Sequence, residues 1–264
     1  MEEASPRLHR WNPLLVVVGL SVIGLLGLVS PVSPLGLEWG HLALGQGRPV
    51  AALRTYDRVA AWNPSDSLAL EALRAGARVS AVDLGDLDGA RLRLRRVARR
   101  FPSHAPSAWD EIGDLHQQGR HRPLLAAQAY LRSVDLAPSD SMAPERLLKA
   151  ARATLEAGKH HRSLVLFERA IQRYPEHRVQ GLLGVAEAQL ASGDASAALA
   201  SYEEAERSST DPVYGAYASL GAAACLERLG NLDGALAELD LAELPEDVLT
   251  HRRQALIERQ ADTW

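Results

Sequence analysis

Apolar and polar positions divide the chain into two regimes. From Leu14 to Leu37 no residue is charged, and the densest part, LLVVVGLSVIGLLGLVS, runs from Leu14 to Ser30. A helix rises about 1.5 Å per residue, so roughly 20 apolar residues cross the hydrocarbon core of a bilayer. Extending the run to Ser33 supplies that length. Trp11 and Trp39 bracket it in the manner of interfacial aromatics, and Pro31 and Pro34 stop a helix at its far end. The pattern predicts a transmembrane anchor over residues 14–35, preceded by a short segment, 1–13. A cleaved signal peptide with Arg7 and Arg10 as its basic region is the alternative. Against it, Val29-Ser30-Pro31 is a poor cleavage site. Arg7 and Arg10 precede the span, whereas the first arginine after it is Arg48. The basic bias predicts a cytoplasmic N-terminus and a periplasmic or extracytoplasmic remainder.

Beyond residue 36 the pattern changes to short amphipathic helices that repeat. Each unit carries a small residue, a glycine some seven residues later, an alanine, an aromatic or leucine, another small or branched residue, and then proline. The first has Gly40, Gly47, Ala52, Tyr56, Val59 and Pro64; the second has Gly85, Ala90, Leu94, Val97 and Pro102. The third has Trp109, Ile112, Gly113, Gly119, Ala126, Tyr130 and Pro138; the fourth has Ala151, Gly158, Phe167, Ala170 and Pro175. The fifth has Ala186, Gly193, Ala198, Tyr202, Ala205 and Pro212; the sixth has Ala223, Gly230, Ala235, Leu239, Ala242 and Pro245. Two self-matches fix the register. Gly85-Asp86-Leu87-Asp88-Gly89-Ala90 recurs as Gly230-Asn231-Leu232-Asp233-Gly234-Ala235, and Arg48-Pro49-Val50-Ala51-Ala52 as Arg122-Pro123-Leu124-Leu125-Ala126.

Each residue type has a physical reason. Small residues let the two helices of a unit approach closely, and the aromatics Tyr56, Tyr130, Phe167 and Tyr202 are expected to fill the gap to the next unit. Gly47, Gly85, Gly119, Gly158, Gly193 and Gly230 fall where first helices end and a positive φ is useful. Pro49 and Pro123 fall in the first turn of second helices, where a missing N–H costs nothing. The second unit is poor in its first helix, because Arg78 stands at the usual small position, and the third carries an insertion around Gln118 to Arg122.

The pattern resembles the tetratricopeptide repeat family, a helix-turn-helix unit of about 34 residues. The third unit carries it best, as Trp109, Ile112, Gly113, Ala126, Tyr130 and Pro138. The resemblance implies an all-α, right-handed solenoid of about six helix pairs over residues 36–245. The polar segment 246–264, with Arg252, Arg253, Glu258 and Arg259, reads as the C-terminal capping helix such arrays require.

The resemblance also implies a concave groove lined by first helices. Those positions are Asp110, Asp114 and Gln117 in the third unit and Glu145, Leu148, Arg152 and Glu156 in the fourth. In the fifth they are Gln180, Leu183, Glu187 and Leu190, and in the sixth Tyr217, Leu220 and Glu227. The mixture is acidic with apolar patches, so a basic or amphipathic segment is the expected protein ligand. Family members that clamp a C-terminal carboxylate use Lys, Asn and Arg at such places; Asp110 and Asp114 depart from that.

Composition narrows the chemistry. The 264 residues carry a formal net charge of -4, which argues against nucleic acid as a partner. One cysteine, Cys225, excludes an intramolecular disulfide and a paired-thiol zinc site; it falls among Ala222, Ala223 and Ala224 and reads as a small buried hydrophobe. No GxSxG, Walker, HExxH or CxxC motif occurs, so neither an enzyme nor a cofactor is expected. The pairs His160/His161 and His116/His121 read as solvated turn residues, not ligands. Arg91, Arg95 and Arg99 form an i, i+4 stripe, read either as a solvated face or as a contact to anionic lipid or an acidic partner. The leading functional expectation is a membrane-anchored interaction scaffold, an assembly factor or accessory protein of a membrane or envelope complex. A permanent structural subunit, its span packed inside a complex through Gly19, Gly24 and Gly27, is the second.

Overall fold

The computed structural model describes residues 35–62, 67–119, 122–241 and positions 250, 253, 254, 256 and 257. Residues 1–34, which hold nearly all of the expected anchor, lie outside the described residues. So does most of the expected capping segment. Among the described residues no helix is long and apolar enough to cross a membrane. Twelve α-helices and no strand are found among them.

The chain divides into two compact bodies, 1–104 and 105–264. The first holds α1 (Leu35–Gly45), α2 (Pro49–Trp62), α3 (Ser67–Arg78) and α4 (Leu87–Arg100). The second holds α5 (Ala105–Gln118), α6 (Pro123–Leu136), α7 (Ala143–Glu156), α8 (His160–Arg173), α9 (Arg178–Ser192), α10 (Ala195–Ser208), α11 (Pro212–Arg228) and α12 (Leu232–Leu241). Within each body every helix packs on the next, and α9 also touches α7 and α11. The twelve helices form the six expected pairs.

Local chemistry sets the helix ends. Helices α2 and α6 begin at Pro49 and Pro123. Gly193 ends α9 in the left-handed region, with φ 94°, and its N–H reaches the carbonyls of Gln189 and Leu190. Gly47, Gly85, Gly158 and Gly230 turn likewise, whereas Gly119 borders residues outside the described set. Asp194 then caps α10 by accepting from the Ala197 N–H at 3.0 Å, and Asp86 caps α4 by accepting from Gly89 N at 2.9 Å.

The core of the second body is made of the repeat positions. Phe167, Leu147, Ala151 and Ala170 pack together with Val134 and Val185. Tyr202, Ala186, Ala198 and Cys225 form the next cluster with Leu182 and Ala218. The last cluster joins Ala223, Ala235 and Leu239 to Leu256, a described helical position of the C-terminal segment. Arg253 of that segment pairs with Asp240 at 2.7 Å.

Phe167 and Tyr202 press on Gly184 and Gly221 of the following unit, as expected, and Tyr130, which closes on Gly113 of its own unit, also packs with Ala150 and Ala153 of the next. Tyr56 closes on Gly40 of its own unit. Two expectations are corrected. Helix α3 ends at Arg78 in a π-type turn, Val79–Asp83, and its close approach is made two residues earlier at Gly76, against Arg93 and Leu53. His116 is not a solvated turn residue; it is buried on α5.

Candidate functional site

Three successive first helices, α7, α9 and α11, leave a cavity of about 560 Å³ between them. Helix α7 contributes Arg152, Leu155 and Glu156; α9 contributes Leu183, Gly184 and Glu187; α11 contributes Val213, Tyr214, Tyr217 and Leu220. These residues recur at helical spacing, so each helix offers one face to the same space. The glycines make the space possible. Gly184 lets α9 close on the Phe167 ring, and Gly221 lets α11 close on Tyr202. The first helices then stand close enough together for their exposed faces to share one hollow.

The walls are mainly apolar and the polar groups are few. The Tyr217 hydroxyl donates to the Glu187 carboxylate. Burial, then the bond to Glu187 and its charge, push the Tyr217 phenol up to about 12, which Arg152 partly offsets. Gln117 Nε2 donates to Glu156, and Gln180 Nε2 donates to the Tyr214 hydroxyl at 2.9 Å. Arg152 is exposed and has no ion pair among the described residues. The hollow thus offers apolar contact area edged by the Arg152 guanidinium and two carboxylates that already accept one bond each. That is binding geometry.

Of the fourteen groove positions expected from the sequence, Arg152, Glu156, Leu183, Glu187, Tyr217 and Leu220 line the cavity. Leu155, Gly184, Val213 and Tyr214 line it without having been singled out; their i+3 and i+4 spacing from the expected set was the available signal. Leu148 instead lies in the core, 4% exposed. Arg228 Nη1 donates to the Leu190 carbonyl at 2.8 Å, fastening α11 to α9 beyond the cavity. Glu227 follows on α11, outside the lining.

The acidic third unit is not an open acidic surface. Lys149 reaches Asp114 at 3.2 Å, Asp110 at 3.4 Å and Glu145 at 3.8 Å. Arg146, 5% exposed, lies 3.6 Å from Asp110 and 2.6 Å from Asp140. The Tyr130 hydroxyl donates to Asp114 at 2.8 Å. Burial raises the Asp110 carboxyl above the usual carboxylate range, although the nearby cations pull it back. Burial alone would lower the Lys149 ammonium, but Asp110, Asp114 and Glu145 leave it raised. The two shifts agree that the cluster is partly desolvated and internally paired. These charges stitch α5 to α7, and the open hollow lies at α7, α9 and α11.

In the first body, the arginine stripe of α4 is divided. Arg91 is half-buried and pairs with Asp88. Arg95 and Arg99 are exposed, as are Arg96 and Arg100. Arg93, outside the stripe, is the structural arginine: it donates to Asp57 at 2.6 and 3.1 Å and to Ser80 at 3.1 Å. Among the described residues no group of three His, Cys, Asp or Glu side chains could hold a metal ion.

A family model described as tetratricopeptide repeat matches residues 79–141, 148–212 and 186–247, more than half of the chain. No curated protein matches the sequence. Among solved structures, YrrB, described as a tetratricopeptide repeat protein with an unusual peptide-binding site, is 14% identical. The match covers 75% of this chain and 97% of that one, with a TM-score of 0.52. PilW, described as a widely conserved type IV pilus biogenesis factor, is 14% identical over 80% of this chain and 91% of that one, with a TM-score of 0.50. At such identities the likeness is one of fold. The repeats, their pairing and the family match together place this chain in the tetratricopeptide repeat family.

Proposed function

We propose that this chain is a membrane-anchored scaffold that holds a partner protein in the hollow between α7, α9 and α11, as an assembly factor or accessory protein of a membrane or envelope complex. The observation that carries the reading is the hollow itself: apolar walls from three helices, with Arg152, Glu156 and Glu187 at its edge. An amphipathic segment fits it, apolar side chains filling the space and basic groups facing the two glutamates. The uncharged run 14–35 supplies the anchor, and tethering raises the effective concentration of the hollow near the bilayer. The exposed Arg95 and Arg99 add a contact to anionic headgroups.

A photo-crosslinker placed at Tyr217 in native membranes tests the reading. Adducts with a defined protein that disappear when Leu220 is replaced by Asp support it; identical adducts from an exposed control site, Val165, would overturn it. A permanent subunit is the second reading, favoured by Gly19, Gly24 and Gly27 within the apolar run. Stoichiometric retention of one complex through detergent purification selects the subunit, and its loss selects the assembly factor.

A further inference from the structure

We propose that helix α1 is an interfacial helix that lies against the lipid surface through Leu35, Trp39 and Leu42. The inference rests on the anchor reading of residues 14–35 and extends it to a second, peripheral contact.

The three side chains are 38%, 56% and 51% exposed. They stand at i, i+4 and i+7, which places them within about 60° of the helix circumference. The buried residues of α1 are Gly36, Leu37 and Gly40. They face α2, where the Tyr56 ring closes on Gly40, and are centred about 140° around the helix from the stripe. The stripe therefore points away from the core. Glu38, the only Asp, Glu, Lys or Arg on α1, borders it on one side, and His41 lies farther round, edge-on to Tyr56 with ring centroids 5.7 Å apart.

A solvated end of a repeat array carries a polar outer face. Helix α1 carries a tryptophan and two leucines there instead. Chain continuity identifies what covers them. The stretch stays uncharged as far as Leu37, so α1 begins where the expected span ends. At about 1.5 Å per residue, all eleven residues of α1 lie within roughly 16 Å of that point. Tryptophan is the residue favoured at headgroup level, and Trp and Leu on one face beside a polar shoulder make an interfacial helix.

The test uses the full chain reconstituted into phosphatidylcholine–phosphatidylglycerol vesicles. Trp39 is kept as the sole tryptophan by Trp11→Phe, Trp62→Phe, Trp109→Phe and Trp264→Phe. A second sample carries Leu42→Cys labelled with an environment-sensitive nitrobenzoxadiazole dye, which needs no tryptophan change. Cys225 is fully buried and does not compete for the label. The expected result is flotation with the vesicles, quenching of Trp39 about twofold or more by lipids brominated on their acyl chains, and blue-shifted dye emission, because interfacial helices bury their apolar face about 5–10 Å deep. Flotation with an unquenched Trp39 and water-like dye emission would overturn the inference and leave the anchor standing. Shielding of Trp39 from both bromolipid and aqueous acrylamide would also overturn it, in favour of a second copy or a partner protein. Failure to float would remove the anchor reading and this inference together.

Discussion

The ring of Tyr202 occupies the space that a Cβ on Gly221 would need. Tyr202 belongs to the second helix of one unit and Gly221 to the first helix of the next, so the pair sets how closely successive units stack. Gly221→Ala is expected to destabilise the protein by about 1–3 kcal/mol through overpacking. Gly215 lies on the same helix but faces open space. Gly215→Ala is expected to stabilise by up to about 1 kcal/mol, because alanine is the better helix former. Chemical denaturation of both variants checks the opposite signs, and Tyr202→Leu is expected to recover part of the Gly221→Ala loss.

Lys149→Met leaves Asp110, Asp114 and Glu145 without their shared cation. The site is partly solvated, so the expected loss at neutral pH is about 1–2 kcal/mol and not the full cost of breaking a buried pair. The wild-type Lys149 ammonium is raised, so its contribution is complete below the ordinary lysine range and lost as pH rises through its own, higher folded range. In the variant, the Asp110 carboxyl climbs further above its unfolded value. Its penalty is therefore greatest at neutral pH and fades as pH falls through the carboxylate range. Thermal melts at pH 7 and pH 4 should show the gap between variant and wild type narrowing at the lower pH.

Glu238 stands on α12 with its carboxyl raised by burial, and further by Glu206 and Glu203. A raised acid binds its proton more readily in the folded state, so stability falls as pH rises through its folded range. Water screens much of this repulsion, and Glu238→Gln is expected to add no more than about 1 kcal/mol at pH 7. The gain should vanish near pH 4. A gain that persists there would point to packing as its source.

Tyr217 is 48% exposed at the mouth of the hollow, and Leu220 lines it one helical turn further on. Tyr217→Ala and Leu220→Asp are each expected to weaken capture of the partner about tenfold or more, as anchor residues do. Val165 is 50% exposed outside the lining, and Val165→Ser should change nothing. Quantitative crosslinking in native membranes from a photo-crosslinker at Val213, which also lines the hollow, reads all three.

Burial pushes the Cys225 thiol up to about 11, with Arg228 offsetting it slightly. The thiolate is the reactive form, so native Cys225 should resist maleimide at pH 8 and react at once in denaturant. Its labelling rate in native buffer should follow the global opening of the second body. Rapid labelling without unfolding would contradict its place in the core.

The family's helix pairs were legible in the sequence because each position has one dominant physical requirement. Proline can begin a helix where no N–H is needed, glycine can turn one at positive φ, and an alanine and an aromatic at helical spacing mark a packed face. Pro49, Pro123, Gly193, Ala198 and Tyr202 therefore read correctly one residue at a time. Cys225 did too, since its alanine neighbours already describe a close contact.

Which charges remain open for binding was not legible, because that depends on what stands opposite. Asp110 and Asp114 read as groove acids until Lys149 and Arg146, two helices along, met them across the gap. Leu148 followed the groove spacing, yet its side chain turns into the cluster around Phe167. Nor could the sequence tell which glycine each ring closes on: Tyr56 and Tyr130 meet Gly40 and Gly113 of their own units, Phe167 and Tyr202 meet Gly184 and Gly221 of the next. Local preference fixed where helices begin, end and turn. The pairing of one helix face with another depends on distances between residues some 30 to 40 positions apart in the chain, such as Gln117 and Glu156, and only the packed tertiary structure sets those.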